Sequence, residues 1–175
     1  LIEDRLKRDK HPNKMFFSYA NTVATIDFAK QFKGHGWVGI SFQIEPDEAY
    51  NEIILHIRFK ETDSRLQQET LGILGVNLIY GAYYKYNDPK KLLRYLYDHL
   101  DKDQLEIDTI NFSGPRFADV DNRLISLQLV KNGMTDAVMF NPEGKNILPA
   151  AILYKKNILA FRGSFRPVTK VNMDM

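Results

Sequence analysis

The sequence predicts an α/β or α+β domain: a mixed sheet that includes an antiparallel hairpin, with packed helices. Three observations carry this. Two neighbouring segments alternate apolar and polar residues with period two. Two later segments carry leucine stripes at helical spacing behind N-cap residues. Beyond them, strand-like and helix-like stretches alternate to the end of the chain.

Leu1 to Lys10 is charged and reads as a helix, broken at His11-Pro12-Asn13. Lys14 to Tyr19 carries Met15, Phe16 and Phe17 and suits a buried strand. Asn21 to Phe32 has no clear period and reads as a loop with a short helix, ended by Gly34-His35-Gly36. The hairpin follows. Val38, Ile40, Phe42 and Ile44 alternate with small or polar residues, and Ile53, Leu55, Ile57 and Phe59 alternate with Ile54, His56, Arg58 and Lys60. A polar stretch from Pro46 to Asn51 joins the two, so residues 38–45 and 53–60 should pair antiparallel with one wet face.

Thr62-Asp63-Ser64 offers helix caps, and Ser64 with Gln67 fits a capping box. Leu66, Thr70, Ile73, Leu74, Asn77, Leu78 and Gly81 trace one helical face. Asp88-Pro89 combines an N-cap with proline at the first helical position, ahead of Leu92, Leu93, Leu96 and Leu100. Leu105 to Phe112 reads as a strand closed by Ser113-Gly114-Pro115. The run from Asp121 to Val130 fits a helix by its Asp-Asn start and Gly133 stop, although Ile125, Leu127 and Leu129 also fit a strand. Asp136 to Phe140 reads as a strand, Asn141 to Gly144 as its turn, and Ile158 to Phe161 as a last short strand.

The chain has 175 residues, 44% hydrophobic and 26% charged, which is the length and composition of one ordinary globular domain. No repeat or linker divides it. It opens at Leu1 and stops at Met175 without the punctuation of a natural terminus, so it reads as a piece of a larger protein, whose remainder is an expected partner. The absence of cysteine removes disulfides, thiolate nucleophiles and cysteine-based metal centres, and it fits a reducing cytoplasm. No apolar run reaches the length of a membrane span, and no signal peptide is visible. The net charge is only +2, and the basic runs Arg5 to Lys10 and Lys90 to Arg94 read as solvated helix faces, so neither nucleic acid nor membrane is an expected partner.

Two segments suit a phosphorylated small molecule or nucleotide. Ser113, Gly114 and Arg116 lie where a strand leads into a helix, a place where backbone N–H groups can meet an anion. Arg162, Gly163, Ser164 and Arg166 follow the last strand, and an arginine fork grips phosphate bidentately. The plainer explanation is loop shape for the first segment and exposed surface for the second. If both sit at one end of one sheet they make a single anion pocket. Asp119 and Asp121, with Asp108 upstream, have the oxygen ligands a hard cation takes, but Asp121 is also an N-cap, and no metal is expected. Gly72, Gly75 and Gly81 inside a helix point to close packing rather than to a phosphate loop. His11, His35, His56 and His99 have no zinc spacing. His35, between two glycines beside Trp37, is the one histidine to watch as an acid or base, and His56 shares a polar strand face with Arg58.

The stretches Ile107–Phe117, Asp119–Gly133 and Arg162–Thr169, with Phe28–Trp37 and Leu66–Gly72, resemble an uncharacterised bacterial family of longer chains. Labels attached automatically to that family include TonB-dependent receptor and nicotinate-nucleotide adenylyltransferase. The resemblance covers essentially the whole chain and implies an internal segment of a larger protein. It implies no catalytic residue and no cofactor. A TonB-dependent receptor would need many lipid-facing strands, which leucine-rich helices do not supply. The adenylyltransferase label would need an H-x-G-H element behind a strand, and Gly34-His35-Gly36 and Ser164-Phe165-Arg166 only echo its motifs. The expected function is a cytoplasmic domain that binds a phosphorylated small molecule or nucleotide. The alternatives are a non-catalytic assembly domain and a nucleotidyltransferase.

Overall fold

The computed structural model describes residues 14–24, 34–158 and 169–171. The helix expected over 1–10, most of the strand expected over 158–161, and Arg162, Gly163, Ser164 and Arg166 lie outside the described residues. Helices pack on a sheet, as the sequence predicts. The strands are β1 (Phe17–Ala24), β2 (His35–Phe42), β3 (Asn51–Phe59) and β4 (Leu105–Ser113), in the spatial order β1-β2-β3-β4. All their pairings are antiparallel, which places the fold on the α+β side of the expectation.

The hairpin is the centre of this sheet. Val38 pairs with Leu55 and Ile40 with Ile53, and Val38, Ile40, Phe42, Leu55, Ile57 and Phe59 are all buried. Full burial of an aliphatic side chain stabilises by about 1.5–3 kcal/mol, so this alternating set fixes which face looks inward. Helices α1 (Ser64–Tyr84) and α2 (Pro89–Tyr95) supply the opposing layer through Leu74, Leu78, Ala82, Leu92 and Leu93, in one core with the sheet. Asn77 ties the two helices together: its amide donates to the carbonyls of Leu96 and Asp98. Helix α3 (Asn122–Lys131) buries Ile125, Ser126 and Leu129 against β4 and α2. A small ribbon, β5 (Met139–Phe140) and β6 (Asn146–Ile147), closes the turn Asn141–Gly144 and precedes α4 (Pro149–Leu153).

Four local expectations are corrected. The segment read as loop from Asn21 is strand as far as Ala24, because Asn21 to Ala24 continue the ladder onto Val38 to His35. The preceding residues are less buried than a central strand would require: Met15 and Phe17 are about half exposed, and among the described residues β1 has a strand neighbour on one side only. The N-cap of α1 is Asp63 and not Ser64. Its carboxylate accepts from the N–H groups of Arg65 and Leu66, and the Gln67 amide donates to the Glu61 carbonyl instead of closing a capping box. Strand β5 is two residues long, shorter than the stretch from Asp136.

Candidate functional site

The second face of the sheet is not covered by α1 or α2. It presents His35, Trp37, Gly39 and Ser41 from β2, and Glu52, Ile54, His56 and Arg58 from β3. Trp37 and Ile54 remain about 40% exposed on it. A depression of 290 Å³ runs over this face, floored by small residues such as Ala20 and Gly39 and bounded by Trp37 and Ile54.

At one end of this face lies a line of three side chains. Asp108 and His56 are buried, at 6% and 2% exposure, and His35 is exposed. His56 Nδ1 stands 2.8 Å from Asp108 Oδ1, and His56 Nε2 stands 3.3 Å from His35 Nδ1. An ionised carboxylate only accepts, so His56 Nδ1 carries the hydrogen. With both histidines neutral, His56 Nε2 then accepts from His35 Nδ1–H, and His35 Nε2 keeps a lone pair. The network assigns these tautomers. The Trp37 ring meets His56 edge-on at 4.9 Å, so Trp37 separates the depression from the buried part of the line.

A β-bulge makes this arrangement. In β4, Thr109 pairs with His56 and Ile107 with Ile57, which leaves Asp108 with no partner of its own. Unbroken alternation would put Asp108 on the core face with Ile110 and Phe112. The extra residue turns it toward the face of His56 and Arg58 instead, and bulges commonly re-aim a side chain in this way. Arg58 Nη2 pairs with Glu106 Oε1 at 2.6 Å, and its Nε lies 3.4 Å from Asp108 Oδ2. Thr135 donates its hydroxyl to Glu106 Oε1 at 2.7 Å. With neutral histidines the cluster carries two carboxylates and one guanidinium.

The anion loop expected from sequence has a different occupation. Arg116 Nε meets Glu48 Oε1 at 2.6 Å, and Nη2 meets Glu45 Oε1 at 2.9 Å. The bonds to Glu48 and then Glu45 raise the guanidinium pKa further above its usual value. Burial pushes Glu48 up, but Arg116 and the N–H groups of Ile44 and Glu45 outweigh it and hold the carboxyl low. The Arg116 N–H donates to Asn51 Oδ1, and Ser113 donates its hydroxyl to Glu52. Gly114 has φ +105, and a Cβ there would lie 2.6 Å from Asn51 Cα, so this glycine serves the close approach of two loops. Arg116 therefore braces the β2–β3 loop, and the carboxylates around it disfavour an anion. Asp121 caps α3 and pairs with Arg123, which holds its carboxyl at about 2. Asp119 and Asp121 form no metal centre with Asp108, whose oxygens face His56 and Arg58. Among the described residues no group of three potential ligands is placed to hold a metal ion.

Of the residues singled out in sequence, His35, His56 and Arg58 come together here. Asp108 joins them in a role that the sequence reading did not assign. The available signal was a slip of phase: the core residues of β4 are Leu105, Ile107, Ile110 and Phe112, so the spacing is two, three, two. Among the described residues no helix is long and apolar enough to cross a membrane. Comparison with protein families, curated proteins and solved structures found no match.

Proposed function

We propose that the sheet face left open by α1 and α2 binds a small molecule, and that the Asp108–His56–His35 line moves a proton to or from it through His35 Nε2. The observation that carries this reading is the bulge, which aims a buried carboxylate at a buried histidine whose other nitrogen meets an exposed one. A histidine oriented by a carboxylate can take a proton without becoming an isolated buried charge. His35 is the group that meets the ligand. His56 and Asp108 position it and share the charge. The depression beside Trp37 is the nearest place for an apolar or ring-shaped part of the ligand.

Trp37 is the only tryptophan in the chain, so its fluorescence reports this face directly. A small-molecule screen read by Trp37 emission should yield ligands whose binding takes up or releases a proton. Calorimetry in two buffers of different ionisation enthalpy measures that proton. In His35→Gln the ligand should still bind but the exchange should vanish. An unchanged proton count in that variant, with the fold intact, would overturn the proposal.

A further inference from the structure

A second cluster lies away from this face, where α1 ends and α2 runs. Tyr80 and Tyr84 are one helical turn apart on α1, and their rings stack at 4.6 Å with 28° between planes. Tyr95 of α2 lies 4.9 Å from Tyr80, and the ammonium of Lys85 sits about 6 Å from both the Tyr80 and Tyr95 rings. Tyr84 is 71% exposed, so the end ring of this ledge is open to solvent. Tyr95 and Lys85 also line a depression of 430 Å³ with Lys91, Arg94, Tyr97 and Asp98. Among the described residues Lys91 pairs only with the exposed carboxylate of Asp88, and Arg94 makes no ion pair. Exposed pairs contribute little, so both cations can turn to another anion.

We propose that this ledge and depression bind a nucleoside di- or triphosphate, with its base on the tyrosines and its phosphates among Lys85, Lys91 and Arg94. An aromatic ring gains by continuing a stack, and clustered cations favour phosphate. Three cations around one depression suit the several negative charges of a di- or triphosphate better than those of a monophosphate. The three rings cover one another, which leaves the outer face of Tyr84 for one base. That favours a free nucleotide over a strand. The proposal is independent of the proton-transfer reading, because it concerns other residues on the opposite side of the core.

Calorimetric titration of the chain with ATP, ADP, AMP, inorganic tripolyphosphate and a single-stranded oligonucleotide tests it. ATP and ADP should bind at least tenfold more tightly than AMP or tripolyphosphate. Tyr84→Ala should weaken ATP roughly five- to a hundredfold, the range for loss of one base–aromatic stack. The double variant K91E/R94E should abolish binding. All three side chains are exposed, so an unchanged melting temperature shows that these variants fold. Four results would overturn the proposal: no ATP binding at millimolar concentration, unchanged affinity in both variants, tripolyphosphate as tight as ATP, or an oligonucleotide more than tenfold tighter than ATP.

Discussion

Replacement of Asp108 by alanine is the sharpest test of whether the relay is a satisfied buried network. The carboxylate accepts from His56 Nδ1–H at 2.8 Å, with both side chains at least nine-tenths buried, and its other oxygen faces Arg58 Nε at 3.4 Å. A hydrogen bond to a charged group contributes about 1.5–3 kcal/mol, and its loss leaves a buried donor unpaired. Arg58 is about half exposed and keeps Glu106, so its share is at most about 1 kcal/mol. Asp108→Ala should therefore cost about 3 kcal/mol. Asp108→Asn keeps an acceptor of the same shape and should cost about 1–1.5 kcal/mol. For a chain of this size 1 kcal/mol shifts Tm by roughly 2–4 °C, so alanine should lower it by roughly 6–12 °C and asparagine by at most half of that. Urea unfolding followed by Trp37 emission gives the free energies. A cost below about 0.5 kcal/mol for alanine would mean that desolvation of the carboxylate cancels its pairing, and the reasoning would fail. It would fail equally if asparagine cost as much as alanine.

Other outcomes follow from the packing and the charges. A Cβ at Gly72 meets nothing within 4 Å, whereas one at Gly81 would press on Leu92 at 3.2 Å. Gly72→Ala should stabilise α1 by up to about 1 kcal/mol and Gly81→Ala should not, as chemical denaturation can show. Asn122 bridges the N–H and the carbonyl of Phe112, at 2.8 and 2.9 Å, so Asn122→Ala should cost about 1–3 kcal/mol in the same assay. Asp121 is held at about 2 against an ordinary 3.8, chiefly by its bonds from Arg123. Its contribution to stability is complete above the ordinary value and is lost as pH falls through about 2. Carbon-detected NMR should place its midpoint there, and Arg123→Ala should move it back up. Arg116→Ala should likewise raise the midpoint of Glu48, since burial then meets less opposition.

How far the sequence could be read depended on the range of each interaction. The β2–β3 pairing, the Asp88-Pro89 start of α2 and the Asp121 cap are local patterns, and each was legible. The register of β1 depends on partners in β2, so Asn21 to Ala24 gave no period of their own. The relay joins residues from three strands, with 21 and 52 positions between its bonded members, which no spacing motif reveals. Its acid was hidden by the bulge, since simple alternation assigns Asp108 to the core. The setting of Arg116 was hidden for a related reason. Glu45 and Glu48 are far from Arg116 in sequence and are brought to it only when β3 pairs with β4.

The insertion of α1 and α2 between β3 and β4 also has a kinetic meaning. The β2–β3 hairpin closes over a short loop, whereas β4 can reach β3 only after residues 60–104 have been folded away. Loop-closure entropy makes such a pairing late. The contact between His56 and Asp108 therefore belongs among the last to form, and a defect there should speed unfolding while leaving the folding rate nearly untouched. On that basis a newly made chain has its core hairpin before it has its proton line, and the joining of β3 and β4 is the step that completes the candidate site.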